Sequence, residues 1–264
     1  MADLLVEKSN SIATLTFNRP AVRNALSIDM RSDLRDVLAE IEYDDDIRCV
    51  VMRGSGDNFM AGGDVKRMVE YIDKPAGEIR AAFTQRIHDL HPIMFTMRRM
   101  PKPIIASVAG AAAGAGVSMA LACDLIIAAD SAFFTLAYVH IGTSPDGSAS
   151  FNLPRAVGIK KAMEIALLGD RFDAATAQDI GMINFVVPAA DLHTETDKLA
   201  QRLAHGPTAV YGNTKRLLYR SLENGWESQL QLEGETFADC AARADFREGV
   251  TAFVEKRKPR FTGK

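Results

Sequence analysis

Only three of the 264 residues are cysteine, and Cys49, Cys123 and Cys240 lie far apart with no metal-ligand spacing, so they read as reduced core thiols. The five histidines, His88, His91, His140, His193 and His205, form no HExxH pair and have few carboxylates nearby, so no metal site is expected. The start Met1-Ala-Asp-Leu-Leu-Val-Glu-Lys is mixed in character and lacks an apolar signal core. No long membrane span is read further along, so the expected location is cytoplasmic, with no membrane partner. A phosphate loop of the Gly-Lys-Ser/Thr type is missing, and a dinucleotide fingerprint after Gly114 and Gly116 fails at Met119, where Gly or Ala is needed. A formal net charge of -3 offers no general attraction to nucleic acid. Internal repeats and low-complexity linkers are also missing.

What remains is the composition of a globular protein, 47% hydrophobic and 25% charged, long enough for one large core with a small appended unit. Ala13, Leu15 and Phe17 alternate with Thr14 and Thr16 as a half-buried strand does, and Asn18-Arg19-Pro20 ends it. Ser27 is a candidate N-cap, and Met30, Leu34, Val37, Leu38 and Ile41 mark one face of the helix it opens. Strand-like runs recur at Val50, Ile104, Leu125–Ile127 and Phe185–Val187, separated by helical stretches or turns. This alternation argues for an α/β core with a largely parallel sheet. From Asp191 onward the pattern is helical, over Leu192–Ala204, Thr208–Leu222, Trp226–Arg243 and Arg247–Lys258. A boundary is therefore expected near Pro188, between a core of residues 1–188 and a helical region of residues 189–264. Tyr71–Glu78, with its Lys74-Pro75-Ala76-Gly77, is the expected mobile loop.

Three segments carry candidate chemistry. Phe59-Met60-Ala61-Gly62-Gly63-Asp64 follows the apolar run Cys49–Met52, and its paired glycines let backbone N–H groups approach a ligand. Val108-Ala-Gly110-Ala-Ala-Ala-Gly114-Ala115-Gly116 passes from a β-branched strand into a small-residue helix start, where free N–H groups and the helix dipole favour an anion. Together these segments can supply one N–H each to a developing oxyanion, although small residues there also permit tight helix–strand packing. The third segment, Ala137–Arg155, holds a lone carboxylate, Asp146. Ser144-Pro145-Asp146-Gly147 fits an ordinary type I turn, and it equally fits a single base placed for proton abstraction.

With these motifs in order, the chain resembles the crotonase, or enoyl-CoA hydratase/isomerase, superfamily from about Leu15 to Lys258. The resemblance rests on Asn18-Arg-Pro-Ala-Val-Arg-Asn-Ala-Leu-Ser27, the two glycine segments, Arg155-Ala-Val-Gly158 with Ala162-Met-Glu-Ile165, and Ala252-Phe-Val-Glu-Lys-Arg-Lys258. It implies a spiral of ββα turns with a C-terminal helical trimerisation region, assembled as a homotrimer or a dimer of trimers. It further implies that the Gly63 and Ala115 N–H groups hold a thioester carbonyl and that the Ala61 carbonyl meets the adenine. Arg23, Ala25 and Leu26 then border the CoA channel, and Asp64 belongs with the substrate-binding residues. Phe237 and Lys256 match positions that touch the CoA of a neighbouring subunit. No cofactor is implied, because the coenzyme A thioester is the substrate.

The departures refine the reading. A hydratase of this family uses two glutamates around one water, and the matching positions here are Ser118 and Tyr138, whose hydroxyls are protonated near neutral pH. Asp146 instead resembles the carboxylate of single-base isomerases acting on phenylacetyl-CoA epoxides or 3-enoyl-CoA. Double-bond isomerisation with Asp146 as base is the expected reaction, with Tyr138 shaping the acyl pocket or merely walling it. Alternatives are an enoyl-CoA hydratase, a 4-chlorobenzoyl-CoA dehalogenase-like nucleophilic enzyme using Asp146 with His91, and a non-catalytic acyl-CoA- or RNA-binding relative. RNA binding is disfavoured because the Asp29–Glu42 helix mixes Arg31 and Arg35 with Asp33, Asp36 and Glu40.

Overall fold

A computed structural model describes residues 2–264. Strands β1 (Leu4–Ser9) and β2 (Ile12–Phe17) pair antiparallel around a turn in which Asn10 and Ser11 both take positive φ. The further strands are β3 (Cys49–Gly54), β4 (Ile104–Val108), β5 (Ala111–Ala113), β6 (Leu125–Ala129), β7 (Phe133–Thr135), β8 (Phe172–Asp173) and β9 (Phe185–Val187). One sheet runs β1-β2-β3-β4-β6-β9 and is parallel after its first pair; a smaller one runs β5-β7-β8. Strand β2 buries Ala13, Leu15 and Phe17 on one face, as its alternation predicts. Strand β4 is buried at all five positions, which suits a parallel strand covered on both faces.

The helices are α1 (Ile28–Tyr43), α2 (Ala76–His88), α3 (His91–Arg99), α4 (Ala115–Ala122), α5 (Ala149–Leu168), α6 (Ala174–Asp179), α7 (Leu192–Ala204), α8 (Thr208–Ser221), α9 (Trp226–Ala241) and α10 (Ala244–Val254). Two consecutive units, β4–β5–α4 and β6–β7–α5, show the repeating ββα turn: the first strand of each joins the large sheet and the second joins the small one. An isolated bridge from Met60 to Ala112 brings the segment after β3 alongside the small sheet in the same way. The chain therefore climbs as a ββα spiral, and each turn ends beside the small sheet.

Local chemistry fixes several of these elements. Ser27 Oγ accepts from the Met30 N–H at 3.0 Å, a cap contributing about 1 kcal/mol, and α1 buries Met30, Leu34, Leu38 and Ile41 beneath it. Helix α4 is buried at every position, and its small residues allow that close packing. Helix α5 breaks at Gly158, with φ 76°. Helix α7, just beyond the expected break at Pro188, packs on β3, β4 and β6, and Thr196 Oγ1 lies 2.8 Å from Ser107 Oγ. Helix α8 is tied to the core by Lys215, whose Nζ donates to Asp124 Oδ2 (2.8 Å) and to the Met97 carbonyl (2.7 Å). Outside it, Leu218, Trp226, Phe237 and Phe253 are exposed along the C-terminal helices.

Three expectations need correction. The last helix spans Ala244–Val254 instead of Arg247–Lys258, because Asp245 accepts from the Thr262 and Gly263 N–H groups and folds the tail back over the helix start. The expected loop at Tyr71–Glu78 shortens, since a 3-10 segment reaches Tyr71 and α2 begins at Ala76. The turn at Asp146 is displaced by two residues: Ala149 N–H donates to the Asp146 carbonyl, and Gly147 and Ser148 between them both have positive φ. Asp146 thus opens the turn and is not one of its central residues. Among the described residues no helix is long and apolar enough to cross a membrane.

Candidate active site

The loop carrying Gly62 and Gly63 is held on two sides. On one side Met60 N–H donates to Ala111 O (3.0 Å) and Ala113 N–H to Met60 O (2.9 Å). On the other, Leu26 N–H donates to Gly62 O and Ala61 N–H to Arg23 O, both at 2.8 Å. The Asn18–Ser27 motif builds this second side. Asn24, fully buried with φ 58°, donates from Nδ2 to the carbonyls of Ser55 (3.0 Å) and Asn58 (2.7 Å) and accepts from Arg19 N–H (2.9 Å). Its side chain thereby satisfies backbone groups that the irregular loop would leave empty.

The second glycine segment meets the first edge-on. Gly114 has φ 49° and ψ -118°, a conformation open to glycine, and it turns the chain sharply from β5 into α4. A Cβ added at Gly62 would lie 2.9 Å from the Ala113 carbonyl and 3.4 Å from the Ala115 nitrogen, so the two loops touch. Among the described residues, neither the Gly63 nor the Ala115 N–H donates to a protein acceptor. Both residues line one cavity of about 1020 Å³. Ala115 adds the positive end of the α4 dipole to its free N–H.

The third contribution comes from the segment after β7. Asp146 lines the same cavity, and among the described residues it is the only carboxylate that does so. Tyr138 Oη–H donates to Asp146 Oδ1 at 2.5 Å, and Ser118 Oγ lies 3.1 Å from Tyr138 Oη while donating to the Asp146 carbonyl at 3.0 Å. Burial, followed by the nearby Asp146 charge, pushes the Tyr138 phenol well above its ordinary range, so Tyr138 holds its proton and acts as a donor. The two hydroxyls therefore orient Asp146 through both its side chain and its backbone.

The remaining candidates separate. Leu26 and Ala61 line the main cavity, and Ala61 also lines an adjoining one of about 330 Å³ with Arg23, His140 and Arg171. Ala25 is buried and reaches neither cavity; its carbonyl accepts from Arg19 Nη1 at 2.7 Å. Asp64 also lines neither cavity, although Gly63 and Val65 beside it line the main one; Arg19 engages its carboxylate at 3.2 Å. Phe237 is exposed and lines a separate 530 Å³ cavity among α8–α10, and Lys256 is exposed just beyond α10 with φ 56°. Neither reaches the main cavity within one chain.

Several wall residues were not singled out from the sequence. Val65, Met68, Ile79, Phe83 and Ile87 supply an apolar face, and Arg31, Arg80 and Arg86 add cations. Arg31 belongs to the buried stripe of α1, next to Met30 and three residues from Leu34, so helical spacing was the signal that could have found it. Burial, and then the Arg86 charge, lower the pKa of its guanidinium, which nonetheless stays charged. His91 also lines the cavity, its ring 5.4 Å from His88 and 5.9 Å from Phe95.

Similarity to known proteins agrees with this geometry. The family model described as enoyl-CoA hydratase/isomerase matches residues 7–264. The chain is 37% identical to the 1,2-epoxyphenylacetyl-CoA isomerase of Escherichia coli over 264 residues, covering 100% of both chains. It is 35% identical to the trans-2-decenoyl-[acyl-carrier-protein] isomerase of Streptococcus mutans, covering 99% of this chain and 98% of that one. The crystal structure of an enoyl-CoA hydratase from a Polaromonas species superposes with a TM-score of 0.91 at 34% identity, over 98% of this chain and 99% of the other. A full-length family match, the ββα spiral and the meeting of the two glycine loops lead to one conclusion: the chain belongs to the enoyl-CoA hydratase/isomerase family.

Proposed function

We propose that the protein moves the double bond of an unsaturated acyl-CoA, converting a 3-enoyl-CoA to a 2-enoyl-CoA. Asp146 removes a proton from C2, the C2–H electron pair forms a C1–C2 double bond as the carbonyl π electrons move onto the thioester oxygen, and the Gly63 and Ala115 N–H groups hold that dienolate oxygen. The protonated carboxyl then returns its proton at C4, and the negative charge returns to Asp146. Oxyanion donors are worth roughly 3–4 kcal/mol each and a positioned acid/base roughly a hundred- to ten-thousandfold, so these parts supply a sufficient catalyst. No metal or redox cofactor has a part in this chemistry; the coenzyme A thioester is the substrate.

The observation that carries the reading is Asp146, the single carboxylate of the cavity wall among the described residues, whose side chain accepts from Tyr138 and whose backbone carbonyl accepts from Ser118, the two hydroxyls at the positions matched to a hydratase's glutamates. One base serves a proton shuttle, whereas hydration needs a second group to activate water. Purified protein assayed side by side should turn over 3-hexenoyl-CoA well above crotonyl-CoA hydration. Hydration equal to or faster than isomerisation would exclude the proposal. His91 in the same wall favours a second reading, in which Asp146 attacks an aryl ring; chloride release from 4-chlorobenzoyl-CoA with 3-hexenoyl-CoA inert would establish it. The exposed Leu218, Trp226, Phe237 and Phe253 support assembly as a trimer or a dimer of trimers, in which Phe237 and Lys256 reach a neighbour's ligand. Light scattering on the purified protein tests this assembly.

A further inference from the structure

The cavity holding Asp146 carries more positive charge than the isomerisation uses. Arg31, Arg80 and Arg86 line it against the single carboxylate, and among the described residues none of these three guanidinium groups forms an ion pair. Arg31 is 7% exposed, on the buried stripe of α1. Its Nη1 donates to the Arg86 carbonyl at 2.7 Å, which ties α1 to the last turn of α2. That tether uses one donor. Its Nε is buried without any acceptor, and its Nη2 has no protein acceptor yet is not among the buried orphan atoms, so Nη2 is open to a ligand. The Arg86 guanidinium lies beside the oxyanion loop, 3.5 Å from where a Cβ on Gly63 would stand.

A buried cation with empty donors is costly unless an acceptor arrives, and a planar guanidinium fork matches a carboxylate. The rest of the wall, with Val65, Met68, Ile79, Phe83 and Ile87, suits a hydrocarbon chain. Phosphates of CoA have other cations available in Arg23 and Arg171 of the adjoining cavity. We propose that the acyl group itself bears a carboxylate held by Arg31 with Arg86, so that the substrates are CoA monothioesters of unsaturated dicarboxylic acids. This rests on the acyl-CoA reading of the site and names its substrate class.

The test reads binding, with two saturated ligands of equal carbon count that cannot be isomerised: hexanedioyl-CoA and hexanoyl-CoA, titrated calorimetrically with free CoA alongside. Wild type should bind the carboxylated ligand about tenfold or more tightly, as a charge-assisted hydrogen bond predicts. Arg31→Met should bring that ratio close to one. Arg86→Gln, which keeps the backbone carbonyl that Arg31 needs, should reduce it and carries the test if Arg31→Met does not fold. Equal affinities in wild type, or a ratio unchanged in the folded variants, would overturn the proposal. So would a loss of free-CoA affinity in Arg31→Met as large as the loss for hexanedioyl-CoA, which would assign the guanidinium to a CoA phosphate. Because no turnover is read, failure of the Asp146 chemistry would leave these ratios untouched and the two claims separable.

Discussion

Replacing Asp146 by Asn removes the proposed base while disturbing little else. The backbone carbonyl of residue 146 accepts from Ser118 Oγ and from the Ala149 N–H, and neither contact depends on the side chain. An Asn Oδ1 can still accept from Tyr138, so a charge-assisted hydrogen bond becomes a neutral one at a cost of about 1 kcal/mol. For a chain of this size that corresponds to a shift in Tm of roughly 2–4 °C. An amide cannot take a proton from C2, so kcat should fall by about a hundred- to ten-thousandfold, or roughly 3–5 kcal/mol in the barrier. KM should change by less than about threefold, since the lost group acts mainly in the transition state. Isomerisation of 3-hexenoyl-CoA followed spectrophotometrically, with calorimetric melting in parallel, measures all three quantities. In deuterated solvent the wild type should place deuterium at C4, with some proton retained if the carboxyl carries it across a sheltered face. A folded Asp146→Asn protein with kcat within threefold of wild type would refute the assignment and leave Asp146 as the residue that opens its turn.

Ala115→Pro deletes the free N–H at the first position of α4, where proline is sterically tolerated, and should lower turnover about a hundredfold or more with a smaller effect on acyl-CoA binding. Equal turnover in a variant with native circular dichroism would remove Ala115 from the oxyanion site. Arg257, and after it the Arg260 N–H, hold the Glu248 carboxyl down to about 2, so its stabilising effect is complete above about 4.5 and is lost as the pH falls toward 2. Tm should decline through that window, and Glu248→Gln should flatten the decline. Burial pushes the Cys49 thiol up to about 12 and raises Cys123 further still, whereas Cys240 is partly exposed. A thiol reagent at pH 8 should therefore modify Cys240 first and reach the other two only on unfolding; rapid labelling of Cys49 would contradict the packing.

Elements governed by local rules were legible in the sequence. The Ser27 cap, the stripe from Met30 to Ile41, the alternation in β2 and the span Leu192–Ala204 all stand as the spacing predicts. Features set by tertiary contacts were not. Strand β5 is three alanines, with no β-branched signal, and exists because Met60 and β7 pair with it. The displaced turn at Asp146 follows from Gly147 and Ser148 taking positive φ, which Ser-Pro-Asp-Gly chemistry does not announce. Of the candidate site, the convergence of Gly63, Ala115 and Asp146 on one cavity was legible because glycine pairs and a lone Asp are conspicuous. The mixed charges of the Asp29–Glu42 helix do not separate Arg31, which is buried, from Arg35, which is exposed and paired with Asp36. Nothing local reveals that Arg19, far away in sequence, takes the Asp64 carboxylate.

The three proposed working parts of the site come from three different climbs of the spiral: Gly63 beyond β3, Ala115 beyond β5 and Asp146 beyond β7. Under the proposed isomerisation, carbonyl polarisation is wired into the earlier climbs, through backbone geometry that side-chain mutation scarcely reaches. The choice of what happens next to that carbonyl sits in the later one, on a few side chains. If the proposed roles hold, such an arrangement would let chemistry drift at one storey of the building while activation stays fixed on the floors below, so variants of this scaffold would trade reactions without losing their grip on the thioester.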